Sequence, residues 1–197
     1  MKLTEYHDII SVGNFSISDS WKTAWEQVKE AILSIDWPHG SGKFTIYPVK
    51  QANGVKPIKL PCLQKLRNYG WETEKLPASL AGVKMGNLDA ILHTSQGSVG
   101  LEWETGNISS SHRAINKILL AMQQGGLSGG ILVVPSRTLY TYLTDRVGNI
   151  DELKPYFALW ETIKIANGVF RIVVVEHDAE SLEVPPIPKG TDGRALV

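Results

Sequence analysis

The N-terminal quarter of the chain repeats apolar side chains at helical spacing. Trp21, Trp25, Val28 and Ile32 follow one another at intervals of three and four residues, which is typical of a helix with one buried face. Ser18 stands before this run and belongs to the residue types that cap helix N-termini. The pattern predicts an amphipathic helix that begins after Ser18.

Residues 37–61 change to a composition of Pro, Gly and Lys with short extended pieces such as KFTIYPV. This composition is typical of strands and loops rather than of a long helix. A short helix is predicted next, over about residues 60–70, and Gly70 is a suitable residue to end it.

Two stretches of alternating apolar and polar residues, 87–94 and 98–104, predict a β-hairpin. If Gln96 and Gly97 form a two-residue turn, the numbers of paired residues sum to 193, which sets Asp89 opposite Glu104. The alternation then places six apolar side chains on one face of the hairpin and three carboxylates on the opposite face. The apolar set is Leu88, Ala90, Leu92, Val99, Leu101 and Trp103, and the carboxylates are Asp89, Glu102 and Glu104.

A helix and a buried strand are predicted after the hairpin. The serines at 109–111 are residue types that cap a helix, and apolar positions at helical spacing continue to Met122. The following GILVVPS is a continuous apolar run bounded by turn residues, as in a strand buried on both faces. The order of strand, helix and buried strand predicts a crossover unit.

The last third of the sequence predicts two more helices, at about 137–147 and 151–165, and a second buried strand in VFRIVVVEH. The Pro- and Gly-rich end of the chain is expected to be extended.

Composition narrows the class of protein. A chain of 197 residues with 43% hydrophobic content is long enough to form one compact domain over residues 1–197. Its single cysteine, Cys62, excludes an internal disulfide and a multi-cysteine zinc site, and is expected in the core. No apolar run approaches the roughly 20 residues that cross a bilayer. We therefore expect a cytoplasmic protein with no membrane partner.

The charge of the chain is zero overall but unevenly distributed. Residues 1–37 and 85–197 each have a net charge of −3, whereas residues 38–84 hold eight basic and two acidic side chains, net +6. Such a segment, rich in loops and strands, is a candidate DNA-facing surface. The alternative is a solvated lysine-rich region.

The three carboxylates of the hairpin raise a chemical question, since like charges on one sheet face repel each other. A divalent cation relieves this repulsion, and Mg²⁺ prefers carboxylate and carbonyl oxygens. Such an ion polarises a phosphate and activates water, so phosphodiester hydrolysis fits the arrangement. A solvated acidic face remains an equally open reading, and a glycosidase carboxylate pair has no further support.

An Asp, a hairpin, and Glu-x-Glu leading into Gly-Asn and a helix resemble the PD-(D/E)xK nuclease core. The similarity is to the type II restriction endonucleases of the BamHI, BglII and BstYI branch, in which Glu or Gln replaces the usual lysine. The stretches WEQVKEAILSID and YGWETE also look similar to BstYI-type sequences. The resemblance implies an α/β fold with a central mixed β-sheet flanked by helices.

This resemblance also implies site residues. Asp89 and Glu102 would bind Mg²⁺ together with the backbone carbonyl of Trp103, and Glu104 would orient or deprotonate the attacking water. These carboxylates would be the catalytic residues of an enzyme that cleaves double-stranded DNA at a short palindrome as a homodimer. The helix at 110–123 is the candidate dimer interface, and a DNA methyltransferase is the expected functional partner.

Seven further residues are candidates for DNA contact: Asn107, His112, Arg113, Lys117, Lys43, Lys50 and Lys56. Arg137 and Arg146, with Tyr140 and Tyr142, either face DNA or pack within the fold. Two alternatives remain open at this point, a DNA-binding protein of the same fold that has lost catalysis and a nuclease specific for a DNA structure.

Overall fold

The computed structural model describes residues 1–77, 86–104, 106–144 and 147–189. The strands are β1 (Lys2–Val12), β2 (Thr45–Ile46), β3 (Glu72–Lys75), β4 (Leu88–Thr94), β5 (Gly97–Trp103), β6 (Gly129–Pro135), β7 (Gly168–Glu176) and β8 (Ala179–Glu180). The helices are α1 (Asp19–Leu33), α2 (Lys56–Asn68), α3 (Ile108–Gln123), α4 (Arg137–Tyr142), α5 (Ile150–Leu153) and α6 (Phe157–Glu161).

Six strands form a mixed sheet in the order β1-β7-β6-β5-β4-β3, and β2 pairs with β8. The three central strands β5, β6 and β7 are parallel, whereas the outer strands join antiparallel. One apolar layer lies between the sheet and helices α1 and α2. A second layer lies between the other face and helices α3, α5 and α6. The predicted mixed sheet flanked by helices is confirmed.

The predicted opening helix and crossover unit are confirmed. The Ser18 hydroxyl accepts a hydrogen bond from the backbone N–H of Trp21, which begins α1. Helix α3 connects the parallel strands β5 and β6 and packs tightly against the sheet. A Cβ at Gly130 would lie 2.2 Å from a methyl carbon of Ile118, so the close approach of α3 requires glycine there.

The cap of α3 differs from the prediction. Asn107, rather than one of the serines at 109–111, is the cap, and its side chain accepts from the backbone N–H of Ser110. The serines lie inside the first turn. The helix therefore begins immediately after the loop that follows the Glu-x-Glu strand.

The predicted hairpin register is wrong by two residues. Thr94 pairs with Gly97 and Ala90 with Leu101, so the pair numbers sum to 191 and the turn is Ser95–Gln96. Gly97 is the first residue of β5 rather than part of the turn, and a Cβ there would lie 2.1 Å from the Ser128 hydroxyl oxygen. A shift of two keeps every side chain on its face.

One apolar assignment within the hairpin is also wrong. Leu88 packs in the layer of α3 with Ile91, whereas Ala90 and Leu101 pack in the layer of α1 and α2. The first residues of β4 therefore depart from strict alternation, directly at Asp89.

Other boundaries differ because short-range patterns were ambiguous. The helix predicted over about residues 60–70 is α2, but it begins earlier, at Lys56, so the first residues of α2 are helical where strands and loops were predicted. The helix predicted at 137–147 ends at Tyr142. The helix predicted at 151–165 is divided by a 3-10 turn that contains Pro155, whose nitrogen cannot donate.

Strand β1 was not predicted, because its charged and apolar residues give no clear alternation. Within the described ranges, no helix is long and apolar enough to span a bilayer.

Candidate active site

A cleft of about 260 Å³ opens where β4 begins and β5 ends. These strands are antiparallel neighbours, so Asp89 near the start of one and Glu102 near the end of the other come to the same edge of the sheet. Helix α3 begins beside them and covers the cleft. The lining residues are Lys59, Asp89, Glu102, Trp103, Glu104, Gly106, Ser110, Arg113, Ala114 and Lys117.

Asp89 is buried and held from two sides. Its Oδ1 accepts from the Lys59 ammonium at 2.7 Å, and its Oδ2 accepts from the backbone N–H of Trp103 at 2.8 Å. Charge-assisted hydrogen bonds of this kind fix a carboxylate in one orientation. Asp89 is therefore positioned by both α2 and β5.

Glu102 is buried, at 8% exposure, against Lys117 of α3. The Lys117 ammonium contacts Glu102 Oε1 and also donates to the Asn87 carbonyl at 2.6 Å. Burial raises the pKa of Glu102 to about 7, with the Asp89 charge adding to the rise and Lys117 opposing it. The surroundings of the Glu102 carboxyl thus favour its neutral form.

Glu104 is buried as well, at 5% exposure. Its Oε1 accepts from the backbone N–H of Gly106 at 2.5 Å, and its own N–H donates to the Val133 carbonyl at 2.9 Å. The loop that leads into α3 therefore orients this carboxylate.

Cys62 lies in the core beneath the cleft. Burial raises the pKa of its thiol to about 12, and the Asp89 charge adds to the rise. This confirms the expectation of a core thiol, since a thiolate nucleophile needs the opposite shift.

The carboxylates of Asp89, Glu102 and Glu104 line the cleft, and oxygen donors of this kind suit a hard divalent cation. In the described residues no three Asp, Glu, His or Cys side chains converge on one point. Instead the ammonium groups of Lys59 and Lys117 contact Asp89 and Glu102. The charges of these two carboxylates are therefore balanced by ammonium groups.

The candidates on α3 separate into two groups. Arg113 and Lys117 line the cleft, and Arg113 donates to the Ser110 hydroxyl at 3.4 Å. His112 instead packs against the rings of Tyr156 and Trp160, with centroid distances of 4.6 and 5.5 Å. Asn107 is the helix cap.

The basic segment distributes its charges over several places. Lys43 and Lys56 are exposed, and Lys50 is exposed at a second cleft. Lys59 is turned inward to Asp89, a role that sequence reasoning missed. The neighbouring Ile58 is buried in α2. The position of Lys59 beside this apolar face was the only hint in the helix pattern that its side chain points inward. Lys84 lies outside the described residues, as does Arg146.

Three further acidic and histidine side chains have partners elsewhere in the described part of the chain. His93 is hydrogen-bonded to Ser98, Glu26 pairs with Lys29, and Glu30 accepts from the Tyr69 hydroxyl.

The sequence matches the family model of restriction endonuclease BamHI over residues 1–194. It is 47% identical over 170 residues to the type II restriction enzyme OkrAI of Oceanobacter kriegii. This alignment covers 86% of this chain and 88% of OkrAI. It is 41% identical over 179 residues to the type II restriction enzyme BamHI of Bacillus amyloliquefaciens, covering 86% and 81%.

The crystal structure of restriction endonuclease BglII complexed with a DNA 16-mer is similar to the fold, with a TM-score of 0.62 at 13% identity. The similarity covers 90% of this chain and 79% of that one. At this identity it supports the fold alone, whereas the family match and the two relatives cover most of the sequence. The chain belongs to the BamHI family of type II restriction endonucleases.

Proposed function

We propose that this protein hydrolyses phosphodiester bonds at a short palindromic site in double-stranded DNA, with Mg²⁺ as its metal. Restriction endonucleases act on double-stranded DNA, and membership of the family implies a divalent metal cofactor. The observation that carries the proposal is the cleft that unites three buried carboxylates, Asp89, Glu102 and Glu104, with two inward-facing lysines.

The metal ligands in this proposal are the carboxylates of Asp89 and Glu102 and the backbone carbonyl of Trp103. When bound, Mg²⁺ would polarise the scissile phosphate and lower the pKa of a water molecule. Lys59 pairs with Asp89 and Lys117 pairs with Glu102. These ion pairs balance the buried negative charge of the two carboxylates.

Glu104 is the proposed base, or the group that orients the attacking water. Its hydrogen bond from the Gly106 N–H fixes one oxygen and leaves the carboxylate directed by the loop before α3. A positioned carboxylate of this kind contributes about 10²- to 10⁴-fold to a hydrolysis rate.

DNA recognition would use the cations near the cleft. Arg113 and Lys117 line it, and we propose that they approach the scissile phosphate or the adjacent bases. Lys43, Lys50 and Lys56 supply further positive charge on the segment 38–84, while Asn107 and His112 complete the set of candidate contacts. Phosphate contacts of this type position the duplex, whereas base contacts specify the sequence.

A palindromic site requires a symmetric reader, so we propose a homodimer with α3 in its interface. Residues 1–197 would form one restriction-endonuclease-like domain in each cytoplasmic subunit. A DNA methyltransferase that protects the same site in the host is the proposed functional partner.

The direct test is cleavage of unmethylated phage DNA by the purified protein with Mg²⁺ and with EDTA. Discrete bands only with Mg²⁺ would support the proposal. Binding without cleavage would favour a catalytically inactive DNA-binding protein, and preferential cleavage of branched DNA would favour a structure-specific nuclease.

Glu104→Gln tests the role of the carboxylate. We expect it to lower the cleavage rate by about 10² or more while DNA affinity is retained. Glu161→Gln, on the exposed surface of α6, is the matched control and should cleave normally. Full activity of Glu104→Gln would contradict the assignment.

A further inference from the structure

A second cleft of about 370 Å³ lies beside α4. Its walls include Lys50, Arg137, Tyr140, Leu143 and Thr144. The cleft therefore brings one cation from the basic segment next to one cation from a helix far along the chain.

This second cleft lies at the same edge of the sheet as the carboxylates. Strands β5 and β6 are parallel, so their C-terminal ends, which lead to Glu104 and to α4, are neighbours. Leu143 borders the second cleft and also a small apolar gap that Trp103 and Glu104 line. A duplex placed over the carboxylates would therefore extend toward the second cleft.

The walls of the second cleft are fixed by backbone hydrogen bonds. The N–H of Gln51 donates to the Thr141 carbonyl at 3.1 Å, and the N–H of Thr144 donates to the Asn53 carbonyl at 2.7 Å. Asn53 is fully buried, and its side-chain amide donates to the carbonyls of Tyr47 and Tyr142. The segment that carries Lys50 is thus attached firmly to α4 before any ligand arrives.

Among the described residues that line the second cleft, the charged side chains are the cations Lys50 and Arg137. In the described part of the chain, neither Lys50 nor Arg137 forms an ion pair, whereas Lys2, Lys29 and Lys154 each pair with a carboxylate. The Arg137 guanidinium instead lies 4.8 Å from the centroid of the Tyr140 ring. Two uncompensated cations in a concave site attract an anion.

We propose that the second cleft binds a backbone phosphate of the DNA duplex that flanks the cleavage site. The inference rests on the proposed function. Arg137 offers a planar fork that matches phosphate oxygens, and Lys50 adds a point charge. The contact fixes the position of the duplex and carries no sequence information.

The test compares Lys50→Ala, Arg137→Ala and the double variant with wild type. Affinity is measured in EDTA at several salt concentrations, for a duplex containing the mapped site and for an unrelated duplex. Each single variant should weaken binding to both duplexes by about tenfold. Each should also reduce the slope of log affinity against log salt by about 1.

Lys164→Ala is the matched control. Lys164 is exposed and precedes the N-terminal end of β7, which lies at the opposite edge of the sheet because β7 is parallel to β6. Variants of Lys50 and Arg137 that retain the affinity and salt slope of Lys164→Ala would overturn the proposal. Matching thermal melting curves for all variants establish that the comparison is between folded proteins, and Arg137→Lys replaces Arg137→Ala if the latter unfolds.

A duplex series with one neutral methylphosphonate at each position identifies the phosphate. Wild type should lose affinity at a flanking position where the double variant loses none. Equal losses in both proteins at every position would overturn the proposal. If wild type binds no duplex at all, the proposed function fails. If wild type binds normally and the variants bind equally well, only the phosphate site in the second cleft is overturned.

Discussion

Glu102→Gln should change how the stability of the protein depends on pH. Burial raises the pKa of Glu102 from its ordinary value of 4.5 to about 7, so between these values the folded protein holds a proton that the unfolded chain releases. Its contribution to the free energy of unfolding is fully present below pH 4.5 and is lost as pH rises through about 7. At 1.36 kcal/mol per pH unit, the loss amounts to roughly 3 kcal/mol.

Because glutamine does not titrate, the variant lacks this loss. The free energy of unfolding of Glu102→Gln minus that of wild type should therefore be roughly 3 kcal/mol larger at about pH 8 than at about pH 4.5. Any constant cost of leaving Lys117 without its carboxylate cancels in this comparison. Urea unfolding in EDTA, at a series of pH values, measures the difference.

Glu161→Gln, an exposed substitution, provides the control for this experiment. Its free energy of unfolding should change with pH in the same way as that of wild type. Parallel curves for Glu102→Gln and wild type would refute the reasoning, since they would mean that the Glu102 carboxyl is ionised in the folded protein throughout the range.

Two further substitutions test the scaffold and the loop before α3. Arg171→Met removes a buried guanidinium that donates to both oxygens of Asp8 at 2.6 and 2.8 Å, and should lower the free energy of unfolding by about 3 kcal/mol; a urea midpoint equal to that of wild type would contradict this. Gly106→Ala places a Cβ 2.8 Å from the Ser110 hydroxyl oxygen and 3.1 Å from Glu104 Oε1, and should lower the cleavage rate by about tenfold or more. Single-turnover cleavage and DNA binding measured side by side should show the rate change with affinity retained, and an unchanged rate would argue against control of Glu104 by this loop.

Regular periodicity was sufficient to predict the elements with long uniform patterns. Helix α1 has its apolar residues on one face and its cap at Ser18, and both are visible in the sequence. Strand β6 is a continuous apolar run, and β7 is one apart from Arg171, because both lie in the centre of the sheet with helices on both faces. Local chemistry decides such elements, so one sequence is enough to predict them.

The hairpin register depends on contacts that the local sequence does not show. Gly97 pairs with Thr94 in the strand, and glycine is required there because Ser128, which is far along the chain, leaves no room for a Cβ. Strand β1 is likewise defined by pairing with β7, since its own residues do not alternate regularly. Only tertiary neighbours determine these features.

The candidate site likewise combines features that the local sequence predicts with features that only tertiary contacts determine. The positions of Asp89, Glu102 and Glu104 at one end of the hairpin follow from the antiparallel pairing of β4 and β5, which survives a shift of two residues. The contact of Lys59 with Asp89 depends on how α2 packs against the sheet, and no spacing in the sequence encodes that angle.

The described cations near the site include two that are turned inward and two that are exposed, and the two pairs differ in their electrostatic role. Lys59 and Lys117 are turned inward to carboxylates, so their charges are neutralised within the protein. Lys50 and Arg137 are exposed without a carboxylate partner in the described part of the chain, so their charges act on the solvent and on DNA. Because binding to DNA releases counterions only where exposed charges meet phosphates, the salt dependence should arise from the exposed cations, Lys50 and Arg137 among them. Lys59 and Lys117 should contribute little, because their charges are paired with buried carboxylates. A chain with no net charge can in this way present a positive surface to DNA and still hold three acidic groups in its active site.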